Sequence, residues 1–379
     1  MHSNRPLHGG NLVWAAELAN CSPDAILDFS ASINPLGPPA SAIAAIQAHL
    51  ADLKAYPDPN YTQLRHVLSQ FHQVPPEWIL PGNGSAELLT WACRDLARED
   101  VTCLMTPAFG DYFRALKTFD ARVIKCAIVD ESALEESGSF EDFYLLDLEG
   151  FEAQLDRLRS DSDIAIGLLL NNPHNPSGTL FLKEQLLQYL ETVALLVVDE
   201  AFMDFVLPDQ QQSLIDLVQE YPNLVVLRSL TKFYSLPGLR LGYAIAHPDR
   251  LQRWQAWRDP WSVNSLAAAV GEVVLQDTSF QQQTWEWLTN TRPVLYDKLT
   301  ALPELKPYPG EANFLLVHSD RSVTQIQAEL LKRHQILIRD CLSFPELGDR
   351  YFRVAIRTPE DNQQFVNGLI DVLQPLPIA

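Results

Sequence analysis

Three continuous apolar runs, Ile164–Leu170, Leu195–Val198 and Leu224–Leu227, mark the middle of the chain, and each ends in a polar segment. Runs of this length predict buried strands. A further strand is expected at Val101–Met105, a half-buried alternating one at Arg122–Ile128, and a short one at Ala25–Phe29. Between them the apolar positions take helical spacing. Helices are predicted at Leu12–Ala19, at 40–53 (Ile43, Ile46, Leu50 and Leu53), from Tyr61 to Phe71 (Leu64, Val67, Leu68 and Phe71 on one face) and from Ser85 to Ala97. Ser132–Asp142 is acidic and reads as surface. Continuous strands alternating with helices predict an α/β fold, a mostly parallel central sheet with helices on both faces.

After Pro260 the pattern changes. Two helices, Ser265–Leu275 and Thr284–Leu302, the second long enough to bridge domains, precede short strands at Phe314–Val317, Ile336–Arg339 and Tyr351–Ile356, with a helix at Thr324–Arg333. This predicts a smaller α/β domain. The expected division is 1–50 as an N-terminal arm and part of the small domain, 51–265 as the large domain, and 266–379 as the small C-terminal domain.

A chain of 379 residues exceeds what one core usually covers, which agrees with two domains. At 47% hydrophobic and 20% charged residues the composition is ordinary for a globular protein. The formal charge of −20 argues against nucleic acid as a partner, although a local basic pocket for a small anion is compatible with it. The five cysteines show no C-x-x-C spacing, so they read as reduced thiols and no metal site is expected. The first residues lack the apolar core of a secretory signal, and no run reaches membrane-spanning length. A cytoplasmic protein without a membrane partner is the expectation.

Segments that follow parallel strands gather at the carboxyl edge of the sheet, where open α/β folds bind ligands. Five such segments stand out: GNGSAE from Gly82, TPAFGDY from Thr106, NNPHNPSG from Asn171, DEAFMDF from Asp199 and SLTKFYSLPGLRLGY from Ser229. In the last, Lys232 sits among the hydroxyls of Ser229 and Thr231, and Arg240 follows a Pro237-Gly238 turn. An amine flanked by hydroxyls and a guanidinium suits an aldehyde cofactor bearing a phosphate, which the amine takes as a Schiff base. Taken alone, the segment also reads as a strand end with a solvated lysine. GNGSAE places Gly84 before a helix starting at Ser85, whose free N–H groups favour an anion. Near the N-terminus, HGGN from His8 and the rigid DFSASINPLGPP from Asp28 form an irregular stretch of the kind that hosts ligands, or else a tight linker. Arg339 and Arg353 are cations at strands that suit acidic substrate groups, or ordinary surface arginines.

Together, in this order, NPHNPSG, DEAF and S-L-T-K with its downstream arginine resemble the fold-type I pyridoxal-phosphate enzymes of the aminotransferase branch, over essentially the whole chain. Within that branch HGGN, DFSASINPLGPP and PWSVNSL (Pro260–Leu266) resemble the threonine-phosphate decarboxylases more than the histidinol-phosphate aminotransferases. The resemblance implies pyridoxal 5'-phosphate as cofactor and 51–265 as the cofactor-binding domain. It implies that Lys232 links to the cofactor and moves protons, and that Asp199 pairs with the pyridine nitrogen. Asn175 would bond the 3-oxygen and Phe109 would stack on the ring. Gly84, Ser85, Ala86, Ser229, Thr231 and Arg240 would hold the phosphate. Tyr56 would reach a neighbouring subunit's cofactor, implying a homodimer with shared sites. On the substrate side it implies Arg353 for the α-carboxylate, Arg339 for a distal phosphate, and His8, Ser32, Asn34 and Gly37 closing over a small phosphorylated amino acid. One departure stands out: the tyrosine usual after D-E-A in the aminotransferases is Phe202 here. Regulators that carry such a domain also have an N-terminal DNA-binding module, for which no room is seen before His8.

Overall fold

In a computed structural model, residues 5–127, 153–154, 156–158 and 164–374 are described. The acidic stretch Ser132–Asp142 and Ile128 lie outside them. Two compact units emerge: Met1–Gly37 with Pro176–Thr179 and Gln281–Ala379, and Pro38–Asn175 with Leu180–Phe280. The divisions therefore fall at Gly37 and Phe280, where the sequence placed them at 50 and 265. The reason is local packing. The helix Ala40–His49 lies against the helix Ser265–Val274. Ser41 Oγ donates to Asp277 Oδ2, so both helices stay with the larger unit.

In chain order the strands are β1 (Leu27–Asp28), β2 (Ile79–Asn83), β3 (Val101–Thr106), β4 (Val123–Ala127), β5 (Ile166–Asn171), β6 (Leu195–Asp199), β7 (Leu224–Ser229), β8 (Leu241–Ala246), β9 (Leu305–Pro307), β10 (Phe314–Ser319), β11 (Ile336–Leu337), β12 (Arg339–Asp340) and β13 (Tyr351–Ala355). The larger unit holds a seven-stranded sheet of order β2-β8-β7-β6-β5-β3-β4. Pairing is parallel from β7 through β4, and β8 runs antiparallel to both β7 and β2. The expected mostly parallel α/β sheet is present. β8 escaped the sequence reading because Leu-Gly-Tyr-Ala-Ile-Ala holds a glycine and two alanines, weak strand formers. It wedges between β2 and β7, and so sets the spacing at the edge where the lysine segment begins.

β3, β5, β7 and β8 are buried throughout, as fully covered strands require. The helix Ser85–Leu96 turns Leu88, Leu89, Ala92 and Leu96 onto this core, each leucine contributing about 2 kcal/mol by burial. The helix Ala40–His49 behaves differently. The helix expected over 40–53 ends at His49 and continues as a 3-10 turn, Leu50–Lys54; Ala42 and Ala45 are buried, while Ile43, Leu50 and Leu53 are 44%, 52% and 60% exposed. Three of the four apolar positions read from the sequence thus point to solvent on this chain, and Ile46 is half-buried. Phe71 likewise lies outside the core that Leu64, Val67 and Leu68 enter.

The smaller unit has an antiparallel sheet β12-β13-β10-β9 and a parallel pair β1-β11. The single strand expected over Ile336–Arg339 is two strands interrupted at Ile338, and each half joins a different sheet. Ile336 and Leu337 pair with Leu27 and Asp28, which ties the N-terminal segment to this unit. Arg339 pairs with Arg353 across β12 and β13.

Candidate active site

The carboxyl ends of β2, β3, β5, β6 and β7 share one edge of the larger sheet, because β2 and β7 both run against β8. Gly84 leaves β2 with φ +75° and caps the helix Ser85–Leu96. Only glycine enters that conformation easily. A Cβ there would stand 2.5 Å from Arg240 Nη2, so the missing side chain is what lets the guanidinium approach the turn. Gly242 on β8 is opposite both Ser229 and Gly82. A Cβ on it would meet the Ser85 nitrogen at 2.4 Å. These two glycines bring the helix start against the end of β7.

There Ser229 Oγ caps the short helix Leu230–Phe233 and lies 2.7 Å from Thr231 Oγ1, with both residues buried. Two buried hydroxyls, a helix N-terminus and a guanidinium converge on a space that suits an anionic phosphate. Of the predicted set, Gly84, Ser85, Ser229, Thr231 and Arg240 come together. Ala86 is exposed one position further along the helix.

Lys232, within the short helix, has its Nζ 4.8 Å from the centre of the Phe202 ring. Phe202 therefore flanks the amine with a π face, where a tyrosine would bring a hydroxyl. Asp199 ends β6. Its Oδ1 accepts from the Ala201 N–H at 3.1 Å and its Oδ2 from the Tyr112 hydroxyl at 2.9 Å. Burial raises the Asp199 pKa, while the Lys232 cation and the Tyr112 hydrogen bond pull it down. Phe109 caps the helix Gly110–Thr118 and meets Tyr112 edge-on at 5.7 Å. Asn175 is buried on the loop after β5. That loop is pinned by Asn172, which bonds both the N–H and the carbonyl of Phe181, and by His174, whose Nε2 lies 3.0 Å from the Pro107 carbonyl. Burial lowers the His174 pKa to about 4, so the ring is neutral there.

In the smaller unit, Arg339 is buried, and its guanidinium donates to the Pro6 and Leu7 carbonyls and to Ser343 Oγ. Arg353 lies 4.8 Å over the Phe314 ring, and burial together with the Arg339 cation lowers its pKa to about 10. His8 lines a small pocket with Gly9, Ser30, Gln327, Arg339 and Asp340. HGGN fits against the Asp28–Ser30 turn because the Gly10 N–H donates to Ser30 Oγ at 2.7 Å, and a Cβ on Gly9 would fall 2.2 Å from the Ser30 carbonyl oxygen. The buried Ser32 hydroxyl has no hydrogen bond among the described residues. Asn34 is engaged with Thr284 Oγ1 and the Leu36 N–H. Gly37 has φ +80°, a turn conformation suited to glycine. Tyr56, in the larger unit, is 77% exposed and stacks on Trp261 at 4.3 Å.

The sequence profile for aminotransferase class I and II matches residues 24–369. The chain belongs to that family. A threonine-phosphate decarboxylase of Salmonella typhimurium is 41% identical over 97% of this chain and 96% of its own length. A histidinol-phosphate aminotransferase of Symbiobacterium thermophilum is 34% identical over 89% of this chain and 87% of its own. Among solved structures, the histidinol-phosphate aminotransferase of Clostridium acetobutylicum superposes with a TM-score of 0.81 at 26% identity, covering 92% of this chain and 99% of that one.

Against this aminotransferase-family frame, the donor set fits pyridoxal 5'-phosphate. An amine stands ready for an aldehyde, a carboxylate that two donors orient suits a pyridinium, and the glycine-lined cradle suits a phosphate. Sequence reasoning missed two parts of the site. Tyr112 stands beside Phe109 in TPAFGDY, but sequence reasoning assigned it no role; its spacing three residues on was the available signal. The second part is a buried network behind Asp199. Arg228 pairs with Glu200 at 3.0 Å and with Asp204, and Glu200 also accepts from Ser213 Oγ and the Leu214 N–H. This network ties Glu200, next to Asp199 at the end of β6, to Arg228, next to Ser229 at the end of β7.

Proposed function

We propose that the chain is a pyridoxal 5'-phosphate enzyme that decarboxylates L-threonine O-3-phosphate to (R)-1-amino-2-propanol O-2-phosphate and CO2 for cobalamin biosynthesis. The observation that carries this reading is the 41% identity, end to end, with a protein named threonine-phosphate decarboxylase. The packing of HGGN on the Asp28–Ser30 turn supports it, since those two segments carried the resemblance.

When bound, the cofactor supplies an electron sink for the charge left at Cα. The chain's own residues do the rest. Lys232 anchors the cofactor and returns a proton to Cα once CO2 has departed. Asp199 holds the ring nitrogen protonated, Asn175 bonds the ring oxygen, and Phe109 covers the ring face. Gly84, Ser85, Ala86, Ser229, Thr231 and Arg240 take the cofactor phosphate. Arg353 takes the substrate carboxylate and Arg339 its phosphate. His8, Ser32, Asn34 and Gly37 complete the substrate side. These cations would serve to orient the substrate so that its carboxylate is the group that leaves.

The protein acts in the cytoplasm as a homodimer. The exposed Ile43, Leu50, Leu53, Tyr56 and Trp261 give it an apolar surface for a second copy, and Tyr56 reaches the neighbour's cofactor phosphate. Among the described residues no helix is long and apolar enough to cross a membrane.

The test is to incubate purified protein and pyridoxal phosphate with threonine phosphate, following CO2 and the amine phosphate, alongside Lys232→Ala. Release of both products by the wild type, lost at least a thousandfold in the variant, is expected from losing an anchoring amine. Amino transfer from histidinol phosphate to 2-oxoglutarate without CO2 would replace this reading with the aminotransferase one.

A further inference from the structure

Asp199 meets the chain through two donors of different kinds. The Ala201 N–H is backbone and follows from the turn after β6. The Tyr112 hydroxyl arrives from another element, the helix Gly110–Thr118, on a residue only 2% exposed. Each carboxylate oxygen therefore has one donor, at 3.1 and 2.9 Å, and the plane of the group is fixed at two points. A carboxylate anchored at one oxygen only is free to swing about that contact; a second donor removes that freedom.

The Tyr112 ring is itself held. Phe109 packs against its edge, and the backbone N–H of Tyr112 bonds the Phe109 carbonyl at 3.0 Å. The same helix end thus carries the aromatic residue proposed for the cofactor ring face and the hydroxyl that sets Asp199. The charged or titratable groups facing the pair are Lys232 and Asp111 toward Asp199, and Asp111 and Cys93 toward Tyr112. Burial and the Asp199 carboxylate push the Tyr112 pKa well above 10, so the phenol stays protonated and always donates.

We propose that Tyr112 is a positioning residue that orients Asp199 and keeps it an anion toward the cofactor's ring nitrogen. The proposal rests on the pyridoxal-phosphate reading of the site. Tyr112→Phe keeps the ring and its packing and removes only the donor. Loss of a charge-assisted hydrogen bond in a buried site predicts a roughly tenfold rise in the dissociation constant for pyridoxal phosphate. It also predicts a shifted pH midpoint for the bound cofactor's visible absorbance, which a packing role would leave in place.

The measurement is cofactor titration of apoprotein, by absorbance and fluorescence, for the wild type, Tyr112→Phe, Asp199→Asn and the double variant. If Tyr112 acts through Asp199, removing its hydroxyl in the Asp199→Asn background changes affinity less than about twofold. Equal losses in both backgrounds, or a Tyr112→Phe protein with wild-type affinity and midpoint, overturn the proposal while the site reading stands. A wild-type protein that takes up no pyridoxal phosphate sinks both.

Discussion

Arg228 and Arg353 both project from interior strands, one in the seven-stranded sheet and one in the four-stranded sheet, and the chain treats their charges in opposite ways. Around Arg228, burial works against the cation, yet Asp204 and Glu200 together hold its pKa above the ordinary arginine value. Around Arg353, burial and the Arg339 cation act in the same direction, and the pKa falls to about 10. The first charge is balanced by carboxylates the chain itself supplies. Around the second, burial and a like charge outweigh the opposing pull of Cys341. A structural arginine and a proposed substrate arginine are told apart here by the sign of their electrostatic surroundings, which neither composition nor burial alone distinguishes.

The largest expected effect breaks the first side of the comparison. Arg228→Met leaves Glu200, buried, and Asp204, half-buried, without their cation, and removing one partner of a buried pair costs about 3–5 kcal/mol. Urea unfolding of the variant is expected to show a loss of that size. A loss below about 1 kcal/mol would mean that Arg228 does not hold β6 to β7, and the contrast would collapse.

The second prediction works on the other side. Arg353→Met removes a cation whose desolvation works against the fold, so stability is expected to change by less than about 1 kcal/mol, or to rise. Under the proposed function the same change removes the carboxylate contact and lowers kcat/KM for threonine phosphate about a hundredfold, roughly 2.7 kcal/mol of transition-state binding. A variant that unfolds as readily as Arg228→Met but turns over normally would reverse the two assignments.

How much of this was legible beforehand follows the range of the physics. The continuous apolar strands and the polar segments after them were readable because burial on both faces leaves a local pattern, and that pattern placed Lys232, Asp199 and Gly84 at one edge. What lay hidden depends on contacts between distant segments. Nothing local to Arg228 announces Glu200 and Asp204, from the segment after β6, as its partners. Nothing local to Tyr112 announces Asp199, 87 positions away. The division of Ile336–Arg339 into two strands is similar, since Leu27 and Asp28 capture one half from the far end of the chain. The apolar face of Ala40–His49 was visible as apolar, but whether it meets its own core or a second copy is a matter of assembly.

The smallest effect probes the same arginine through a histidine. His72 Nε2 lies 2.7 Å from the Tyr243 hydroxyl, and burial first, then the Arg228 cation, push the His72 pKa well below 6.5. The folded state therefore holds His72 neutral under conditions where the unfolded chain begins to take up a proton. With the folded pKa depressed, the contribution to stability is intact above about pH 6.5 and is lost as pH falls below it, with a slope of at most about 1.4 kcal/mol per pH unit. His72→Gln can keep a hydrogen bond to Tyr243 and cannot titrate, so its stability should fall less steeply with acid than the wild type's. Because Arg228 supplies part of the depression, the difference between histidine and glutamine should shrink when both are compared in the Arg228→Met background. Unfolding midpoints taken at intervals from pH 7.5 down to 5 measure it, and an unchanged difference would show that burial alone, with no contribution from the arginine's charge, keeps the ring neutral.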